Sequence, residues 1–235
     1  RVVTPAEAPQ LHGMVDRLCA LADMPKPRVA MADTDVPNAF ATGRSQQRAV
    51  LVVTTGLLRR LDGEELEAVL SHELAHVAHR DVAVMTIASF LGILAGLVAR
   101  FGVEFGFWGG GRRSRDNNLA VVVLFTVVVS AVVYAISFLL IRALSRYREL
   151  SADRSAALLT GRPSELASAL TKLTGEMGRI PTRDLRAAQP LQAFFFAPLT
   201  ASGGLGLGGL LATHPSLQAR LDQLARISAE LGRAG

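Results

Sequence analysis

Two stretches of this chain carry no charged side chain: residues 82–99, between Asp81 and Arg100, and residues 119–141, between Asp116 and Arg142. As helices they reach roughly 27 Å and roughly 34 Å, against a hydrocarbon core of about 30 Å. The second is apolar all round and rich in Val, Leu and Ile, which reads as a transmembrane helix. The first carries Thr86, Ser89, Gly92 and Gly96, small residues that let a second helix approach closely in lipid. A transmembrane hairpin is therefore expected; a buried hairpin in a soluble helical core is the alternative. Phe105, Phe107 and Trp108 between the spans resemble interfacial aromatics, and Gly109, Gly110 and Gly111 a flexible loop tip. Arg112, Arg113 and Arg115 in that loop leave both sides of the hairpin basic, so charge counting does not orient it.

Half of the residues (50%) are hydrophobic and only 19% are charged, which excludes a disordered chain. The net charge of +5 is almost all arginine, since Lys26 and Lys172 are the only lysines. Such an excess suits an anionic membrane face as well as nucleic acid. With Trp108, Tyr134 and Tyr147 as the only Trp and Tyr residues, a stacking platform and a nucleic-acid partner are not expected. Cys19 is the sole cysteine, so no intrachain disulfide can form. A third uncharged stretch, residues 187–219, is interrupted by Pro190, Pro198, Pro215 and several glycines; it reads as extended segments and loops.

The rest reads as an α+β, mainly helical domain with a small sheet, in two pieces: residues 1–81 and 142–235, separated by the hairpin at 82–141. A helix is expected over 11–21, with His12 on its solvated side. Short strands are expected at 29–31 and 50–54, with 38–43 as a loop between them. Asp62 begins a helix with a capping-box spacing to Glu65, running through residue 80 into the first span. The second span continues to about residue 159 and stops at Gly161. Ser164 caps the next helix, to about Met177, and a last helix covers 217–231.

The first expected piece contains His72-Glu73-Leu74-Ala75-His76, an H-E-x-x-H sequence. Residues four apart lie one turn along the same helix face, so both imidazoles reach one zinc ion. Glu73 is then placed to take a proton from water at the metal and pass it to the leaving amine. A catalytic zinc needs a third protein ligand and an open position. His79 lies about 10 Å along the axis from His72, too far to share one ion, and reads as a surface residue. Glu149 is the better ligand, because a hairpin that leaves after His76 and returns before Glu149 brings both to a similar height. Asp153 lies one turn further on the same face and is suited to hold an imidazole N–H. His214 precedes a proline after an expected strand, at a loop able to approach the metal. Residues 50–54, with the 38–43 loop, offer an edge for a substrate strand; a purely structural edge is the alternative.

Several pieces together carry a family resemblance: Asn38-Ala39-Phe40-Ala41-Thr42-Gly43, His72 to His76 with Asp81, the hairpin, Glu149 to Asp153, and Thr213-His214-Pro215 with Arg220. Over nearly its whole length the chain resembles the HtpX-type membrane-bound zinc metallopeptidases, relatives of the CaaX prenyl peptidases. The resemblance implies a zincin-like (gluzincin) catalytic domain with one Zn2+ per chain on His72, His76 and Glu149. It implies Glu73 as general base, His214 as oxyanion stabiliser, and Asp153, Asp81 and Arg220 as supports behind the ligands. Asn38, Ala39, Phe40 and Ala41 fall at its substrate-binding segment. Polypeptide substrates, a role in protein quality control, a bilayer as partner and a multi-pass plasma-membrane location with the catalytic side in the cytoplasm follow in the same way. The family usually has further transmembrane helices before the catalytic domain, so the topology within this chain is expected to be incomplete. A prenyl-protein peptidase is the second expectation, and a non-catalytic membrane scaffold with a structural metal is the third.

Overall fold

The computed structural model describes residues 1–109, 117–177 and 214–234. The expected loop tip at 110–111, its arginines and nearly all of the 187–219 stretch, including the strand before His214, lie outside the described residues. The helix α1 (Pro9–Leu21) starts on a proline and buries Leu11, Val15, Leu18 and Cys19. It also buries His12, whose Nε2 lies 3.0 Å from the carbonyl oxygen of Val3. That histidine is thus a packed anchor for the N-terminal segment, not the solvated residue its surroundings in the sequence suggest.

Three strands form one sheet: β1 (Arg28–Ala32), β2 (Ala39–Thr42) and β3 (Val50–Thr54), in the order β1-β3-β2. The first pairs in parallel with β3, whereas β2 pairs antiparallel, Ala41 opposite Leu51. Two expectations change here. Residues 39–42 are a strand rather than a loop, and β3 lies in the centre with both sides paired, so the free edge beside the helices belongs to β2. Gly43 leaves β2 at φ +144, and a Cβ there would sit 2.7 Å from the Ala49 backbone. Only glycine permits that approach.

After the short helix α2 (Thr55–Arg60), α3 (Gly63–Ala78) runs through the middle of the molecule. Asp62 accepts from the backbone N–H groups of Glu64 and Glu65, while Glu65 accepts from that of Asp62. This is the expected capping box, and it fixes the start of α3. The helix packs against α1, β2, α5 (Asn117–Thr160) and α6 (Pro163–Met177), burying Glu65, Leu66 and an unbroken run from Ala68 to Ala75. Leu51, Val53, Leu57, Leu166 and Leu170 are core residues around it. The last helix, here α7, is Leu217–Ala234 and packs on α5 and α6.

Helix α3 does not continue into the first apolar span. It ends at Ala78, Arg80 takes φ +56, and α4 (Asp81–Gly109) begins anew; the segments Gly63–Ala78 and Asp81–Leu94 meet at 55°. A left-handed arginine costs on the order of 1–2 kcal/mol. The turn places Asp81 under His76, and the contacts made there offset the cost. Helices α4 and α5 then form an antiparallel hairpin, in which Gly92 faces Ile141 and Gly96 faces Tyr134. The segment Leu124–Thr160 within α5 is long and apolar enough to cross a membrane. Gly161, at φ +68, terminates α5 as expected. Helix α6 opens two residues earlier than expected, with Pro163 in its first turn instead of Ser164 as its cap.

Candidate metal centre

Histidines four apart on a rigid, buried helix can share an ion only if their rings turn the same way. In α3 they do: His72 Nε2 and His76 Nε2 lie 3.1 Å apart. Helix α5 returns from the hairpin and lays Glu149 across them. Its Oε2 is 3.8 Å from His72 Nε2 and its Oε1 3.6 Å from His76 Nε2. Zinc with ligands at about 2.1 Å in a tetrahedron has ligand–ligand edges of about 3.4 Å. The three observed separations bracket that edge, so the donor set and its spacing both fit zinc. His72, His76 and Glu149 can together hold a metal ion.

Among the described residues one other trio has comparable spacing, Asp62, Glu65 and Glu165. Two of its members are already engaged in the capping box, and Glu65 also pairs with Lys172.

Behind each imidazole stands a carboxylate. Asp153 Oδ1 is 2.9 Å from His72 Nδ1, and Asp81 Oδ2 is 2.6 Å from His76 Nδ1. A carboxylate there fixes the proton on Nδ1 and frees Nε2 for a metal. Each carboxylate in turn meets an arginine. Arg220 of α7 donates through Nε and Nη2 to both oxygens of Asp153, at 2.7 and 2.6 Å, in full burial. Arg148 Nη2 is 2.8 Å from Asp81 Oδ2. The sequence reading gives Arg148 no role; the signal available was its place directly before Glu149.

Glu73 is 5% exposed, and its Oε2 accepts from the Ala41 backbone N–H at 3.2 Å. Burial, with the neighbouring charge of Glu149 adding to it, pushes its carboxyl up to about 7, well suited to exchanging protons near neutrality. Burial also lowers the His72 pKa, favouring the neutral ring a metal requires. Burial would raise Glu149, but the hydrogen bond with His214 and the charges of His76 and His72 outweigh it, and the carboxyl is held far below its usual range. His214 Nδ1 lies 3.4 Å from Glu149 Oε2, so the structure brings this distant residue to the cluster.

Of the four residues matched to a substrate segment, only Ala41 touches the cluster among the described contacts. Asn38 and Ala39 are buried in the sheet, Asn38 exchanging hydrogen bonds with Thr54, and Phe40 is half-buried in β2. His79 is exposed at the C-terminal end of α3, with Nε2 3.4 Å from Ser155 Oγ.

Comparison with known proteins finds relatives over nearly the whole chain. The sequence pattern of Peptidase family M48 matches residues 5–228. The chain is 63% identical over 234 residues to Protease HtpX homolog 1 of Streptomyces coelicolor, covering 100% of this chain and 76% of that one. It is 53% identical to Protease HtpX homolog of Moorella thermoacetica (97% and 75% covered) and 39% identical to that of Pyrococcus furiosus (99% and 78%). The fold is similar to the crystal structure of S. mikatae Ste24p, with a TM-score of 0.56 at 20% identity, covering 90% of this chain and 49% of that chain.

Proposed function

This chain belongs to peptidase family M48 and is a protease, and on that premise we propose that it is a zinc-dependent integral-membrane endopeptidase. Its substrates in this reading are peptide bonds of membrane or misfolded proteins, in the service of protein quality control. The observation that carries it is the spacing of 3.1, 3.6 and 3.8 Å among the facing atoms of His72, His76 and Glu149. Residues 1–81 and 142–235 form one zincin-like, gluzincin-type catalytic domain, and 82–141 is a hairpin inserted through the plasma membrane, with the catalytic side in the cytoplasm.

A zinc ion, one per chain, supplies a Lewis acid and acidifies water. The chain's own groups do the rest. Glu73 takes the proton of the attacking water and delivers it to the leaving amine. The Ala41 N–H holds the Glu73 carboxylate in place. His214, beside Glu149, donates to the developing oxyanion, a contribution on the order of 3 kcal/mol. Asp153 and Asp81 keep both imidazoles turned inward. The outer edge of β2 receives the substrate as an added strand.

The test is zinc content together with cleavage of an unfolded protein. Purified chain should carry one zinc per molecule, a chelator should abolish hydrolysis, and zinc should restore it. Hydrolysis that survives complete removal of metal would sink the reading.

The hairpin makes a separate prediction. Ile87, Phe90, Leu91, Leu124, Phe125 and Leu140 are each more than half exposed, far more contiguous apolar surface than a soluble monomer tolerates. The chain is expected to stay monodisperse only in detergent or bilayer. A monodisperse monomer in plain buffer would remove the membrane assignment.

A further inference from the structure

We propose that Arg148 is a positioning residue of the metal centre, acting through Asp81 to hold the His76 imidazole so that its Nε2 faces Glu149. The two histidines are supported in the same way but from different places. The support of His72 lies within the soluble domain, where Asp153 and Arg220 are both fully buried. The support of His76 lies at the base of the hairpin: Asp81 opens α4, and Arg148 belongs to α5.

Asp81 is 4% exposed, so its negative charge needs a counterion to persist there. Arg148 supplies one at 2.8 Å on the same Oδ2 atom that faces His76 Nδ1 at 2.6 Å. Because Arg148 directly precedes Glu149 in α5, one helix turn positions a ligand and, through Asp81, a second ligand on another helix. The left-handed Arg80 brings Asp81 under His76, and Arg148 keeps it there.

This inference rests on the zinc site proposed above. A bystander arginine makes the opposite prediction: removing a positive charge near a dication would tighten binding, whereas removing a positioning group loosens it.

The experiment is competition for Zn2+ against a chromophoric chelator, on the full chain in detergent. Arg148→Gln, Arg148→Lys, Asp81→Asn and the Asp81→Asn/Arg148→Gln double variant are compared with the wild type. Arg148→Gln should bind zinc about 10–100-fold more weakly. Arg148→Lys keeps the charge but loses the rigid fork, and should fall several-fold below the wild type; it decides the matter should the Gln variant not fold. The double variant should bind no more weakly than Asp81→Asn alone, because the arginine works through that carboxylate. Wild-type or tighter affinity in either arginine variant, or losses that add in the double, overturns the proposal. Failure of the wild type itself to bind zinc would instead strike the metal site on which it rests.

Discussion

Glu73→Gln is expected to retain zinc at wild-type stoichiometry and to lose hydrolysis by about 10²–10⁴-fold, the usual cost of removing a general base. The amide is nearly isosteric and can still accept from the Ala41 N–H, so the fold and the three ligands stay in place. What it cannot do is take a proton from water. Burial raises the native carboxyl to about 7, so its replacement by a neutral group also spares the site a desolvated charge, and the variant should be at least as stable to heat as the wild type. Metal content, melting temperature and turnover of an unfolded protein decide the matter together. A folded, zinc-loaded variant with near-normal turnover would remove Glu73 from the chemistry. It would also revive the reading of a scaffold with a structural metal, which has no use for a base beside its ligand.

The second large effect is expected at Glu149. Glu149→Ala should lose zinc outright, because it leaves two protein ligands where a catalytic site needs three. His79→Ala should change neither metal content nor rate, since His79 stands exposed beyond the last turn of α3. Asp153→Ala falls between the two in zinc affinity, by about 10–100-fold, but should be the most damaging to stability. It removes the carboxylate that balances the fully buried Arg220, and breaking a buried pair in this way costs about 3–5 kcal/mol. Zinc stoichiometry and thermal unfolding of the three variants separate these roles. Metal lost from His79→Ala but kept by Glu149→Ala would reverse the ligand assignment.

Much of this site was legible because its signals are local. The spacing of His72, Glu73 and His76 follows from helix geometry, and Asp62 with Glu65 marks where that helix begins. Gly161 marks the end of α5, and the hairpin shows in the missing charges. The return of Glu149 to the height of His76 needed only residue counting along two helices. Other features depend on contacts that local pattern does not encode. Residues 39–42 are too short and too mixed to announce a strand, and they become β2 only by pairing with β3. The central place of β3 depends on β1, more than twenty residues upstream in the chain. No glycine or proline marks the break at Arg80; the pull of His76 and Arg148 on Asp81 accompanies it. Arg148 has only its place before Glu149 to mark it in the sequence, and its partner Asp81 comes from α4.

One further consequence follows from the length of α5. Its 44 residues make a rod of about 66 Å, continuous from the hairpin through Glu149 and Asp153, whereas the path from α4 to α3 is interrupted at Arg80. With α5 crossing the bilayer as proposed, a thinner or thicker membrane changes its tilt. A change of tilt would reach Glu149 directly, and through Asp153 and Arg148 of the same helix it would reach the supports of His72 and His76 as well. On that proposal the whole ligand set would be coupled to lipid chain length through one rigid helix, and hydrophobic mismatch would act on it as a lever acts on its short arm.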